Sequence, residues 1–162
     1  MGDMLVKLYD LPDGAPPLRA LRDAGVVVRA AMPYEKQDVV TWVRGRFGDA
    51  WAGECEAAFA RQPVACFVAA EDGRLRGFAC HDCTCPNFFG PMGVAADARG
   101  RGIGSALLLC CLHAMAARGY AYAIIGGAGN GDIYRKAVGA VDIAGSTPGV
   151  YRDRLARDAA AG

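Results

Sequence analysis

Three features of the sequence predict an α/β fold of the mixed α+β type, a sheet flanked by helices. The hydrophobic period changes along the chain, helical before Pro63 and strand-like after it. Asp72-Gly73 lies between two strand-like segments, a strong hairpin signal that sets up an antiparallel meander. A glycine-rich turn, a long apolar helix and a buried strand then follow, which reads as a strand–helix–strand crossover.

Taken in order, residues 1–25 read as a short N-terminal extension, with a strand at 5–9 and a helix at 17–23 that starts on proline and stops at Gly25. The β-branched run 26–30 is the first main strand. Val39 or Val40, Val43 and Phe47 recur at helical spacing, and Gly48 ends that helix. Asp49 is placed to cap a second helix, 50–61, with Trp51, Cys55 and Phe59 four apart. Segments 64–71 and 75–83 are the hairpin strands. Segment 88–94 is strand-like but holds Gly90, Pro91 and Gly93, which predicts a departure from regular pairing. A helix over 102–118 closes at Gly119, a strand covers 120–125, a short helix 132–137, and strands 140–144 and 150–152 finish the chain. No repeat or linker divides the 162 residues, which fit one domain.

Hydrophobic residues make up 53% and charged residues 22%, a globular balance. A net charge of +1 argues against a broad nucleic-acid-binding surface and leaves room for a local basic pocket. Asp3 stands where a secretory leader would carry bases, and no run reaches the roughly 18 apolar residues of a membrane span. Seven cysteines without a leader suggest reduced thiols, and the expectation is a cytoplasmic protein with no membrane partner.

The most informative segment runs from Val94 through Arg99, Gly100, Arg101, Gly102 and Gly104 to Ser105. A strand end, a glycine turn and a helix start bring together unpaired N–H groups and a positive dipole end, a natural anion site. Glycines let backbone approach a diphosphate, and Arg99 and Arg101 add charge suited to phosphate. A P-loop would need a Gly-Lys-Ser/Thr that is absent. A dinucleotide fingerprint would need glycine where Ser105 stands, and it would open a parallel unit rather than follow a hairpin meander.

The spacing Arg99-x-x-Gly102-x-Gly104 resembles the Arg/Gln-x-x-Gly-x-Gly/Ala signature of the GNAT (Gcn5-related N-acetyltransferase) superfamily. Tyr134-Arg135-Lys136-Ala137-Val138-Gly139 is similar to that family's second signature, and the ending from Gly145 to Arg152 resembles uncharacterised bacterial members. The resemblance covers roughly residues 26–152. It implies a mostly antiparallel sheet, splayed between the strand ending at Val94 and the strand 120–125, with acetyl-CoA as co-substrate in that cleft. It implies pantetheine paired along Met92, Gly93 and Val94, and a backbone N–H of Gly93 or Val94 polarising the thioester carbonyl. The diphosphate would lie on the amides of Gly100, Arg101, Gly102, Gly104 and Ser105, with Asn130 near the pantetheine. Tyr134 is the expected general acid for the departing thiolate.

The implied reaction is N-acetyl transfer to a primary amine, in a small molecule or a peptide; a homodimer is compatible with the resemblance. Many relatives place a glutamate base on the central strand, whereas 88–94 holds no carboxylate. Asp82, Glu54 and Glu56 are the candidates, each with a solvated structural carboxylate as the competing reading. A non-catalytic acyl-CoA sensor is the alternative function. Cys80, Cys83 and Cys85 form the sole C-x-x-C-type cluster, and alternation sends Cys80 and His81 to opposite faces, so no metal is expected. Cys55, Cys66, Cys110, Cys111 and His113 read as packing, and Trp42, Trp51 and Phe59 as core or acceptor pocket.

Overall fold

The computed structural model describes residues 2–155. In chain order its main elements are β1 (Met4–Lys7), α1 (Ala15–Asp23), β2 (Val26–Ala30), α2 (Lys36–Phe47), α3 (Asp49–Phe59), β3 (Cys66–Glu71), β4 (Arg74–His81) and β5 (Phe88–Val94). They continue with α4 (Ile103–Ala117), β6 (Tyr122–Ile125), α5 (Gly131–Val138) and β7 (Val141–Asp142). The strands form one sheet in the order β2-β3-β4-β5-β6-β1-β7. Every pairing is antiparallel except β5 with β6.

Alternation along the strands divides the core between two faces. Cys66, Val68, Phe78 and Cys80 pack with α2 and α3, whereas Ala69 and Ala79 pack with α4. Helix α4 is apolar nearly all round because it lies on the sheet and is itself covered by α1 and the turn at Leu8–Asp10. His113, on α4, bonds the Pro12 carbonyl at 2.9 Å and so fixes the segment that leads into α1.

Three expectations are corrected. Residues 1–25 are no appendage, because β1 lies between β6 and β7 with Met4 paired to Ile125 on one side and Asp142 on the other. Gly48, not Asp49, is the N-cap of α3; its φ of 89° suits a residue without Cβ, and Asp49 is the first helical residue, ion-paired to Arg44. Segment 150–152 is not a strand. Gly149–Tyr151 forms a 3-10 turn that begins with a positive φ at Gly149. No helix among the described residues is long and apolar enough to cross a membrane.

Candidate active site

The site begins with the failure of two parallel strands to stay together. β5 and β6 pair only at Phe88 with Ile124 and Phe89 with Ile125. Gly90 follows at a φ of 117°, Gly126 follows on the other strand, and the sheet opens into a cleft of about 850 Å³. On its other side β5 stays paired to β4, with Phe78 opposite Gly93 and Gly77 opposite Val94. Ala95 N–H donates to the Arg76 carbonyl at 2.8 Å, which fixes the alternation of that ladder. Gly93 therefore spends its backbone groups on Phe78, while Met92 and Val94 turn theirs toward the opening. Of the two N–H groups expected to face the thioester, Val94 is the one so directed. The Val94 carbonyl already accepts the Arg99 Nε–H at 3.3 Å.

The glycine turn lies beyond the far end of β5. Gly100 and Gly102 adopt φ values of 76° and 84°, and a Cβ on either would meet nothing within 4 Å. The backbone turn, not crowding, requires glycine there, and the space above it is open. Gly102 caps α4 without any side-chain cap. The first i→i−4 bond of the helix is Ala106 N–H to the Gly102 carbonyl, so the amides of Ile103, Gly104 and Ser105 precede the helical ladder. Gly104 sits over Val94 and Met92, and Met92 also lines the cleft, so Met92 stands between the turn and the cleft. Arg101 does not stand free for phosphate: it pairs with Glu71 at 2.6 and 3.2 Å.

Tyr134, on α5, lines the cleft and meets Phe89 edge-on, with ring centroids 6.2 Å apart. Burial raises its phenol pKa above the ordinary 10.0 and keeps it a proton donor. Asn130, immediately before α5, lines the same wall. Across the opening, α3 contributes Trp51 and Glu54, and Glu54 Oε1 accepts the Thr84 hydroxyl at 2.6 Å. Tyr151 closes the mouth. Its hydroxyl would lie 2.6 Å from a Cβ at Gly126, so this approach depends on glycine, and burial together with the charge of Glu54 raises its pKa.

Asp82 is placed elsewhere. Its carboxylate is fully buried (0% exposed) and does not line the cleft. Burial alone would raise its pKa, but His81 Nδ1 at 2.8 Å and the Asn87 N–H at 2.8 Å outweigh burial and hold it below the usual range. Arg118 lies 3.5 Å away. Asp82 anchors the turn between β4 and β5. The exposed Glu56 is paired to Lys36 at 2.9 Å. Glu54 is thus the sequence-selected carboxylate that the fold brings to the cleft with Tyr134, Asn130 and Met92.

Sequence reasoning missed Thr84, Tyr151 and Asp3. Asp3 accepts the Gly127 N–H at 2.8 Å, while its own N–H donates to the Ser146 hydroxyl at 2.7 Å, clamping the segment that carries Tyr151 against the cleft wall. The tyrosine of the Gly145–Arg152 ending was a usable signal for Tyr151. Thr84 carried none.

Residues 62–139 match the family model described as an acetyltransferase (GNAT) domain. No curated protein matches the chain. Among solved structures, the GCN5-related glucosamine N-acetyltransferase region of a fungal multi-domain GH3 β-N-acetylglucosaminidase superposes with a TM-score of 0.71 at 15% identity, over 88% of this chain and 19% of that one. A GCN5-related N-acetyltransferase from Sphaerobacter thermophilus gives 0.62 at 21% identity, over 88% of this chain and 48% of that one. A GNAT family acetyltransferase from Brucella melitensis, solved in complex with acetyl-CoA, gives 0.51 at 18% identity, over 67% and 80%. The chain spans less than half the length of the first two. Residues 62–139 thus carry the match to a GNAT acetyltransferase domain, and the chain shares the fold of GNAT acetyltransferases.

Proposed function

We propose that the chain transfers an acetyl group from acetyl-CoA to a primary amine, of a small molecule or a peptide, by direct attack in a ternary complex. The observation that carries this reading is the opening of β5 from β6 after Phe89, with Tyr134 on one wall and Glu54 on the other. The residues fit the co-substrate: a strand edge at Met92 and Val94 free of a ladder partner suits the amides of pantetheine, and the open glycine turn at the start of α4 suits a diphosphate. Glu54 takes the proton from the acceptor ammonium. The amine lone pair then attacks the thioester carbonyl carbon, whose oxygen the Val94 N–H polarises. The carbon–sulfur bond breaks, Tyr134 gives its phenolic proton to the leaving thiolate, and the remaining proton that the acylated nitrogen sheds returns to the phenolate. Free thiols and acetyl-CoA use are in keeping with a cytoplasmic enzyme.

β5 itself carries no carboxylate, which favours a second reading, a non-catalytic acyl-CoA-binding domain. Isothermal titration of acetyl-CoA against the wild type and a Gly102→Glu, Gly104→Glu variant tests the site. We expect the wild type to bind and the folded variant to lose binding, because two carboxylates would occupy the diphosphate position. Absence of wild-type binding would end the reading. Thiol release with a panel of amines then separates enzyme from sensor.

A further inference from the structure

Cys80 and Cys83 have the spacing of a metal knuckle and lack a second pair in the sequence; the fold supplies one. Cys55 comes from α3, Cys66 from β3 and Cys80 from β4, each with 0% exposure, and their three sulfurs all lie within 4.8 Å of one another. Cys66 stands directly opposite Cys80. The His81 N–H bonds the Ala65 carbonyl at 3.0 Å, so the neighbouring Cys66–Cys80 pair is the non-hydrogen-bonded type, in which side chains approach most closely. The Cys83 thiol stands outside that group of three, on the turn that follows β4, and donates to the Gly90 carbonyl at 3.0 Å. Between Cys80 and Cys83, Asp82 holds a φ of 56° through its buried carboxylate, which turns the chain back on itself.

We propose that these four cysteines form a closed, structural site for a thiolate-preferring divalent cation of the Zn²⁺ type. A tetrahedral thiolate site with Zn–S bonds of about 2.3 Å sets its sulfurs about 3.8 Å apart, within a short adjustment of the three clustered sulfurs, and Cys83 must turn from Gly90 to complete it. The donors are all soft. The side chains of Ala52, Phe59, Val68 and Phe78 in the same core cluster carry no oxygen, which disfavours Ca²⁺ and Mg²⁺. His81 points to the opposite face, toward Phe67, and is not a ligand. Without metal the thiols pack as small apolar groups, so the empty site is compatible with the core. Binding displaces the thiol protons into solvent, leaves no valence open for catalysis, and takes Cys83 from Gly90. The ion would tie α3 to β3 and β4 beside Glu54, the residue preceding Cys55.

Anaerobic Co²⁺ titration of the reduced full chain tests this. One equivalent is expected to give thiolate-to-cobalt charge transfer and tetrahedral d–d bands, displaced by Zn²⁺ with a rise in Tm. Both signals should vanish in Cys66→Ala, weaken in Cys83→Ala and persist in Cys110→Ala. X-ray absorption of the zinc-loaded wild type needs no variant, and a sulfur shell at about 2.3 Å is expected. A shell of oxygen and nitrogen, no charge-transfer band, or a band unchanged in folded Cys66→Ala would overturn the proposal. So would thiol titration that finds Cys66 and Cys80 joined as a disulfide in the metal-free protein.

Discussion

Tyr134 and Glu54 differ in how their surroundings equip them. Tyr134 is held by Phe89 and by burial that disfavours its anion. A group whose pKa stands above 10.0 is protonated throughout the neutral range, so any alkaline loss of kcat due to Tyr134 belongs above pH 10. Tyr134→Phe should lower kcat about 100-fold or more while changing the Kd for acetyl-CoA much less. A full kcat in the variant would leave the phenol a packing role only. Glu54 is oriented through one oxygen, Oε1, by the Thr84 hydroxyl. Glu54→Gln should reduce kcat/KM at neutral pH and lose less at alkaline pH, where the acceptor amine deprotonates unaided. A pH–rate profile unchanged from wild type would remove Glu54 as the base. Asp82→Asn, by contrast, is expected to act on stability, because its carboxylate holds a turn.

At the scale of the element, β5 serves the cleft with one face and the core with the other. A Cβ on Gly93 would lie 2.5 to 2.9 Å from the ring of Phe47. That ring is braced, since it stacks on Trp51 at 5.2 Å and packs on Trp42 and Phe78, each at 5.8 Å. Gly93→Ala should cost about 1–3 kcal/mol in urea unfolding and disturb the acceptor side through Trp51. Combining it with Phe47→Leu should recover part of that loss. The two glycines and the proline of β5 made its irregularity legible in the sequence, as did the hairpin at Asp72-Gly73 and the turn before α4, because each is fixed by local backbone chemistry. Contacts between remote elements were not legible. Cys55 and Cys66 read locally as packing and Cys80 as half of a lone C-x-x-C pair, and only the register of β3 on β4, with α3 above, brings the three together. Tyr151 was lost for a related reason, since its place at the cleft depends on a clamp made by Asp3 rather than on a period of its own.

At the scale of the whole molecule, β1 is the penultimate strand of the sheet, and Asp3, one residue before it, ties the segments at Gly127 and Ser146 together. Removing its carboxylate leaves the Gly127 N–H without its acceptor. Asp3→Ala should therefore cost about 1–3 kcal/mol and raise KM for the amine more than it alters kcat. Asp3→Asn, which keeps an acceptor oxygen, should restore most of both. An equal KM in Asp3→Ala and wild type would detach Tyr151 from acceptor recognition.

The position of β1 has a further consequence, for the order in which the molecule can assemble. The bonds that join Asp3 to Gly127 and Ser146 span 124 and 143 residues. Such closures lag behind local hairpins, because the chain entropy of a long loop is lost before any contact repays it. β2 to β5 can condense with α2 and α3 as a meander of near neighbours, while β6 gains its second partner only when the N-terminal strand is captured. The wall bearing Glu54 would then mature before the wall bearing Tyr134, and a nascent chain would complete the cleft in its last folding step.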